Sequence, residues 1–213
     1  MMVQRYDAID GWLVVVSTAD GATRLAGRAR RVADERASHR ARVAALASLA
    51  LRARQASISI SHTEGSAAAL AGVAKRMFGV DLVRISRIAP RHSRAILSHS
   101  DRYAYGAMPP RYRDALAWAL KEAAAKATGT AQHFFPDRVQ LIANPLTRRL
   151  RVRLADSLRM TFDANWFVLG DLLCATVVSA ASSPALASRA RQGLGRLSTR
   201  SMGAVSCQSD SAS

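Results

Sequence analysis

The segment "MPPRYRDALAWALKEAAAKATGT" is the feature of this sequence that most constrains its fold. Residues 111–127 are rich in strong helix formers and are preceded by two prolines, which a helix start tolerates. Gly129 follows where a C-terminal cap belongs. The segment therefore predicts a helix over 111–127, in which Glu122 and Lys126 lie four residues apart and project from one face.

Other segments predict strands and a second helix. Residues 11–17 are β-branched and apolar and predict a buried strand, and residues 24–54 are rich in alanine, leucine and arginine and predict a helix. The alternating "SISIS", the small apolar "AAALAGVA" and the branched "GVDLVRISRI" predict three adjacent antiparallel strands, which would bring His62 and Asp81 into one sheet. Later strands are predicted in "RVQLIA", "RRLRVRLA" and "LRMTFD", with a hairpin turn at "NPLT".

The net charge of +16 and the isoelectric point near 11.5 indicate an acidic partner. Nucleic acid, an anionic membrane, a phosphorylated ligand and an acidic protein all satisfy that condition. Nearly all of the positive charge comes from arginine, because lysine occurs at only three positions, two of them Lys121 and Lys126 beside Glu122.

Cysteine content and hydropathy indicate a cytoplasmic protein without a membrane span. Cys174 and Cys207 form no CxxC pair and no zinc-binding spacing, so they predict neither a disulfide framework nor a structural metal. The N-terminal residues lack the pattern of a signal peptide. The longest apolar run, "WFVLGDLLCATVVSAA", is interrupted by Gly170 and Asp171 and favours strands over a membrane helix.

Two carboxylates and one ammonium group make a candidate phosphate-handling site. Magnesium on a pyrophosphate needs only one or two protein carboxylates, because phosphate oxygens and water complete its octahedron. Asp81 and Glu122 can supply them. A cation beside the phosphates would stabilise charge during attack on phosphorus, and Lys126 suits that role.

Two of these segments resemble the signature motifs of the 4'-phosphopantetheinyl transferase superfamily. "GVDLVRISRI" over 79–88 is similar to its G-x-D strand, and "WALKEAAAKATGT" over 118–130 is similar to its W/F-x-x-K-E-x-x-x-K helix. Their separation of some forty residues also fits. "SISISH", ending at His62, resembles the Ser-His strand of the surfactin-type branch, so the resemblance covers roughly residues 57–165.

The resemblance implies an α+β fold in which a long helix packs on a small antiparallel sheet, with pseudo-duplication into two halves. It implies that Asp81 and Glu122 hold Mg²⁺ and that Lys126 contacts the phosphates of coenzyme A, the substrate. Asp81, Glu122 and Lys126 are therefore the candidate catalytic residues.

The resemblance also implies further contacts with coenzyme A. Ser61 and His62 would lie near the 3'-phosphate of the nucleotide. Lys121 occupies the first lysine position of the helix motif and joins Lys126 as a candidate cofactor-binding residue.

One position departs from the surfactin-type pattern, and the domain boundaries follow the resemblance. Val83 stands where G-x-D-x-E members carry a second carboxylate, a feature shared with the holo-acyl-carrier-protein synthase branch. We expect one transferase unit over 1–195, with halves of about 1–75 and 76–195, and a disordered serine-rich tail over 196–213. The length favours a monomer, and a trimer-like assembly stays open.

The implied activity is transfer of 4'-phosphopantetheine from coenzyme A to a serine of an acidic acyl or peptidyl carrier protein. Four arginines that follow the metal strand are candidates for docking that protein: Arg84, Arg87, Arg91 and Arg94.

Two other interpretations stay open. A catalytically degenerate relative would bind coenzyme A or a carrier protein without transfer. A basic nucleic-acid-binding protein would fit the charge, but the sequence lacks an aromatic-rich sheet, a zinc pattern and a recognition helix, so we expect no nucleic-acid partner.

Overall fold

The computed structural model describes residues 2–7, 13–18, 27–48, 56–73, 76–89, 93–144, 146–147, 149–155 and 160–180. The strands are β1 Met2–Asp7, β2 Leu13–Thr18, β3 Ala56–Thr63, β4 Ser66–Val73, β5 Phe78–Arg84, β6 Val139–Ala143, β7 Leu150–Leu154, β8 Thr161–Leu169 and β9 Leu172–Ser179. The α-helices are α1 Gly27–Ser48, α2 Ser93–Ile96, α3 Arg102–Ala107 and α4 Arg113–Ala127.

The strands form two antiparallel sheets. The first has the order β1-β2-β4-β3 and the second has the order β5-β9-β8-β7-β6. Short turns join β3 to β4 and β8 to β9, as antiparallel neighbours allow. The α+β class with antiparallel sheets is thereby confirmed.

The elements form four layers in the order α1, first sheet, second sheet and α4. A cluster of buried side chains lies between each layer and the next. Alanines spaced four residues apart on α1 face alanines of β4. The opposite face of the first sheet packs on the second sheet through Val16 and Leu70 against Val80 and Leu82. Helix α4 covers the outer face of the second sheet, where Leu120 is fully buried.

Helix α4 confirms the helix predicted over 111–127. It begins at Arg113 and ends at Ala127, and Gly129 has a φ of +73°, the left-handed conformation that glycine adopts without steric cost. Gly79 of β5 explains how closely the helix approaches the sheet. A Cβ atom at this position would lie 1.9 Å from the carbonyl oxygen of Ala123.

The prediction of three adjacent antiparallel strands was wrong for the third strand. β3 and β4 pair as predicted, but β5 leaves them and pairs with β9, so His62 and Asp81 belong to different sheets. Alternation assigns a strand's residues to its two faces, but it does not identify the neighbouring strand. Here the partner of β5 lies about ninety residues away along the chain.

The two sheets share an order of elements, although pseudo-duplication stays a prediction. β2 precedes α1 and pairs with β4, just as β5 precedes α4 and pairs with β9. Met1–Ala180 cluster into one compact unit. The tail predicted over 196–213 lies outside the described residues, and the unit boundary at 195 stays a prediction. None of the described helices has the length and apolar character that a membrane crossing requires.

Candidate active site

The candidate site lies where an edge strand of each sheet meets the other. β3 is the last strand of the first sheet and β5 is the first strand of the second. The alternation of "SISIS" gives β3 two different faces. Ile58 and Ile60 pack against the α1 cluster, whereas the hydroxyl of Ser59 accepts a hydrogen bond from the backbone N–H of Val80 at 3.0 Å. Serine side chains therefore line the contact between β3 and β5, which we call the seam.

Asp81, Ser61 and Lys126 form a closed triangle at the seam. The Ser61 hydroxyl donates to Asp81 Oδ1 at 2.8 Å. The Lys126 ammonium donates to the same oxygen at 2.6 Å and to Ser61 Oγ at 2.9 Å. Side chains from β3 and α4 thus converge on one carboxylate oxygen of β5.

The second oxygen of Asp81 has no such partner. Oδ2 is buried and accepts no hydrogen bond from the described residues. An unpaired buried carboxylate oxygen raises the free energy of the folded protein. Oδ2 is therefore suited to accept a hydrogen bond from water or to bind a cation.

Glu122 adds a second carboxylate within electrostatic range of Asp81. Burial raises the pKa of Glu122, the nearby charge of Asp81 raises it further, and the Lys126 ammonium acts in the opposite direction. The charge of Asp81 thus acts on Glu122, so the two carboxylates lie in one acidic region.

This pair fits magnesium. Within the described ranges, no group of three or more His, Cys, Asp or Glu side chains is placed to hold a metal ion. Mg²⁺ is characteristically held by one or two carboxylates while water and phosphate oxygens complete its shell. The unpaired Oδ2 of Asp81 and the half-buried Glu122 match that donor set.

A family model described as the 4'-phosphopantetheinyl transferase superfamily matches residues 77–177. This segment belongs to the 4'-phosphopantetheinyl transferase superfamily. It runs from the residue before β5 to within β9 and carries Asp81, Glu122 and Lys126. Ser61 lies upstream of the matched superfamily segment.

Several solved structures of holo-(acyl-carrier-protein) synthases are similar to the chain. A holo-(acyl-carrier-protein) synthase from Bacillus anthracis, in complex with CoA (3',5'-ADP), is 17% identical, with 50% of this chain and 98% of that chain covered and a TM-score of 0.41. The Helicobacter pylori synthase, in complex with coenzyme A, is 21% identical, with 49% and 100% covered and a TM-score of 0.41. The Thermotoga maritima synthase is 18% identical, with 50% and 65% covered and a TM-score of 0.42. No curated protein matches the sequence.

Lys121 of the superfamily helix motif does not join the triangle. Its ammonium is fully buried and donates to the Ile96 carbonyl at 2.8 Å, the Pro136 carbonyl at 2.8 Å and Asp101 Oδ2 at 2.6 Å. All three N–H donors are thus used inside the protein. Burial lowers the pKa of Lys121, although the hydrogen bond and charge of Asp101 oppose that shift. This arrangement does not support the predicted contact between Lys121 and a cofactor.

His62 is also separated from the triangle. It follows Ser61 directly on β3, and neighbouring residues of a strand project to opposite faces. Its side chain is exposed, whereas that of Ser61 is buried. The structure therefore does not bring the predicted pair Ser61 and His62 to one point.

The arginines proposed for docking have different environments. Arg84 Nε lies 2.6 Å from Glu64 Oε2, and Arg87 also forms an ion pair with Glu64. Arg87 is largely exposed, so its other face is open to a partner, whereas Arg84 is mostly buried. Arg91 and the side chain of Arg94 lie outside the described residues.

Val83 lies in the core between β5 and α4. Its side chain is buried in the same cluster as Leu116 and Leu120. The position that carries a carboxylate in surfactin-type members therefore contributes apolar packing in this chain.

Two buried acidic residues were missed by the sequence analysis. Asp101 accepts hydrogen bonds from Lys121, from Ser98 and from the backbone N–H of Leu141 at 2.7 Å. Glu64 occupies the β3–β4 turn and forms ion pairs with three arginines. The spacing from Ser98 to Asp101 is a capping-box pattern that could have indicated the first of them.

Proposed function

We propose that this chain transfers the 4'-phosphopantetheine group of coenzyme A to a serine of a carrier protein. The observation that supports it is the Asp81, Ser61 and Lys126 triangle with its unpaired carboxylate oxygen, on a segment that belongs to the transferase superfamily. The residues at this site have the chemistry that a pyrophosphate substrate needs: two carboxylates for a divalent cation and one ammonium group for phosphate oxygens.

Asp81 and Glu122 would hold Mg²⁺, which when bound neutralises pyrophosphate charge and polarises its oxygens. Lys126 would contact the same phosphates. Its side chain is about a quarter exposed, so the ammonium can redirect from Asp81 to a ligand at the surface. An ammonium beside the phosphates stabilises the charge that spreads over the phosphoryl oxygens in the transition state.

The reaction forms one bond to phosphorus and breaks another. The hydroxyl oxygen of the carrier serine attacks the β-phosphorus of coenzyme A in line with the pyrophosphate bridge. The bridging P–O bond breaks with its electron pair, and adenosine 3',5'-bisphosphate leaves. Glu122, directly or through a water, accepts the serine proton.

The positive charge of the chain suits an acidic carrier protein. The net charge is +16, and the exposed Arg87 lies shortly after β5, which carries Asp81. Opposite surface charges accelerate encounter and are screened by salt. We therefore assign an acidic carrier protein as the docking partner of this chain, with coenzyme A and Mg²⁺ bound at the site.

Intact-mass analysis of an apo carrier protein tests the proposal. Incubation with the full chain, coenzyme A and magnesium should add roughly 340 Da, the mass of one phosphopantetheine group. The Asp81→Asn and Glu122→Gln variants and a chelator should each abolish the gain. The matched control is Asp163→Asn, which changes a partly exposed carboxylate on β8 and should leave the gain unchanged.

The alternative outcomes are distinct. If several carrier types gain no mass while coenzyme A still binds, the chain is a degenerate relative without transfer activity. If Asp81→Asn retains the full rate, the triangle is not the catalytic centre and the assignment of the site is wrong.

A further inference from the structure

The two oxygens of Asp81 are held differently, and that asymmetry is the starting observation. Oδ1 accepts two hydrogen bonds, from Ser61 at 2.8 Å and from Lys126 at 2.6 Å, while Oδ2 accepts none from the described residues. A carboxylate is nearly symmetric, so rotation about its Cβ–Cγ bond exchanges these oxygens unless neighbours hold one of them in place.

The Ser61 hydroxyl forms hydrogen bonds that fix the orientation of the Asp81 carboxylate. The hydroxyl has one proton, which it gives to Asp81, and one of its lone pairs accepts from Lys126 at 2.9 Å. The Ser61 residue is only 5% exposed, so the hydroxyl faces the protein interior. Its donor is therefore already committed and is not available to an external phosphate.

We propose that Ser61 is a positioning residue for Asp81, which keeps Oδ1 on Ser61 and Lys126 and thereby directs Oδ2 to a divalent cation shared with Glu122. This inference rests on the proposed function for the identity of the cation. It differs from the role that the superfamily resemblance implies for Ser61, namely contact with the nucleotide 3'-phosphate.

The physical reason is competition for one carboxylate. Without the Ser61 hydroxyl, the Lys126 ammonium can bind either oxygen of Asp81, including the one a cation would use. Groups that orient a metal ligand from behind typically contribute 10–100-fold to metal affinity. A cation site at Asp81 should therefore weaken when Ser61 loses its hydroxyl.

The test measures Mn²⁺ binding to the full chain by electron paramagnetic resonance, in the absence of coenzyme A and carrier protein. We expect Ser61→Ala to weaken Mn²⁺ binding about tenfold and Ser61→Thr, which keeps the hydroxyl, to restore most of it. Ser57→Ala changes an exposed serine of the same strand and is the matched control. Asp81→Asn should abolish the binding, which assigns it to this site.

A kinetic measurement separates positioning from nucleotide contact. In Ser61→Ala the Mg²⁺ concentration for half-maximal rate should rise, while the KM for coenzyme A at saturating Mg²⁺ stays near that of the parent. A raised KM with unchanged Mn²⁺ affinity would overturn the proposal in favour of a nucleotide contact. Absence of Mn²⁺ binding to the parent at millimolar concentrations would also overturn it.

Failure of this inference and failure of the proposed function give different results. A chain that binds Mn²⁺ in a Ser61-dependent way but transfers nothing supports the inference and contradicts the function. An active chain whose Mn²⁺ affinity is the same with and without the Ser61 hydroxyl supports the proposed function and contradicts the inference. If Ser61→Ala does not fold, Ser61→Cys, which has a similar volume and a weaker donor, replaces it with the same expected direction.

Discussion

At the scale of single residues, the two lysines of the superfamily helix motif have different environments. Lys126 is partly exposed and contacts Asp81 and Ser61, whereas Lys121 is fully buried with three acceptors of its own. The spacing of the motif places Glu122 and Lys126 on one face. It leaves Lys121 on a different side of α4, where it anchors the helix to Asp101.

Replacing Lys121 with methionine should reduce stability without affecting ligand binding. The change leaves the carboxylate of Asp101 buried without its counter-ion, which typically costs about 3–5 kcal/mol in unfolding free energy. Urea denaturation measures that loss, and the KM for coenzyme A should match that of the parent wherever the variant is folded.

A second substitution checks the cause. Asp101→Asn in the Lys121→Met background should recover part of the lost stability, because a neutral amide needs no counter-charge. A raised KM together with an unchanged unfolding free energy would show that Lys121 contacts the ligand after all.

Lys126 should affect cation binding and turnover in opposite directions. Lys126→Met removes an ammonium that lies 2.6 Å from Asp81 Oδ1, so the ligand-free protein should bind Mn²⁺ several-fold more tightly, since a competing cation is gone. The transfer rate should fall at the same time, because Lys126 no longer contacts the phosphates. Weaker Mn²⁺ binding in this variant would contradict the competition between the ammonium and the metal.

At the scale of elements, α4 lies against β5 because Gly79 has no side chain. The nearest atom to an added Cβ is a backbone carbonyl oxygen at 1.9 Å, which cannot move aside by changing rotamer. Gly79 and Asp81 share the face of β5 that meets α4. The same close approach therefore brings Asp81 within reach of Lys126.

Gly79→Ala should consequently separate helix from strand. Overpacking of this kind costs about 1–3 kcal/mol or more, and we expect a fall in thermal midpoint together with loss of transfer activity. Gly106→Ala is the matched control, since a Cβ there meets nothing within 4 Å. That control should leave activity unchanged and stability equal or slightly higher, because alanine favours helix. Equal effects of the two substitutions would rule out the close approach as the cause.

Local patterns predicted most of the elements, but not how the sheets combine. The helix over 111–127 and the β6–β7 hairpin follow from helix propensity and turn residues, and both are confirmed. The placement of β5 beside β9 depends on which distant segment completes the sheet, and periodicity contains no information on that choice. For the same reason the alternation of β3 predicted two faces but could not identify the seam.

The candidate site could likewise be predicted only in part from the sequence. Asp81, Glu122 and Lys126 could be proposed from motif spacing, and the structure brings them together. The burial of Lys121 and the opposite orientations of Ser61 and His62 depend on the surrounding packing. Glu64 could not be identified from the sequence, because its partners come from two other segments of the chain, Arg30 on α1 and the arginines Arg84 and Arg87 at and just beyond the end of β5.

At the scale of the whole molecule, Glu64 links the two sheets at one end of the seam. The β3–β4 turn holds it at a φ of +45°, beside Gly65 at +76°. Its carboxylate is almost fully buried and pairs with Arg30 of α1, with Arg84 at the end of β5 and with Arg87 just beyond. Arg84 also forms an ion pair with Asp171 between β8 and β9, with 3.6 Å between Arg84 Nη1 and Asp171 Oδ2.

Neutralising Glu64 should loosen the docking of the sheets. Glu64→Gln leaves the mostly buried Arg84 without its closest counter-ion, and we expect a loss of about 3 kcal/mol in unfolding free energy. Hydrogen exchange should accelerate at the backbone N–H of Val80, which bonds across the seam. Asp163→Asn, which breaks the exposed pair with Arg151, is the control and should cost under about 1 kcal/mol. Unaltered exchange at Val80 in Glu64→Gln would show that the ion pairs do not hold the seam.

The position of the site at the seam has a consequence for fragments of this protein. The segment that the superfamily model matches starts at residue 77, so it contains both carboxylates and Lys126 but neither Ser61 nor the sheet that covers Val80 and Leu82. Expressed alone, that segment would present an unpaired strand edge and an apolar sheet face to solvent, which favours aggregation. The smallest piece able to retain a complete site must therefore begin upstream of β3 and include the first sheet.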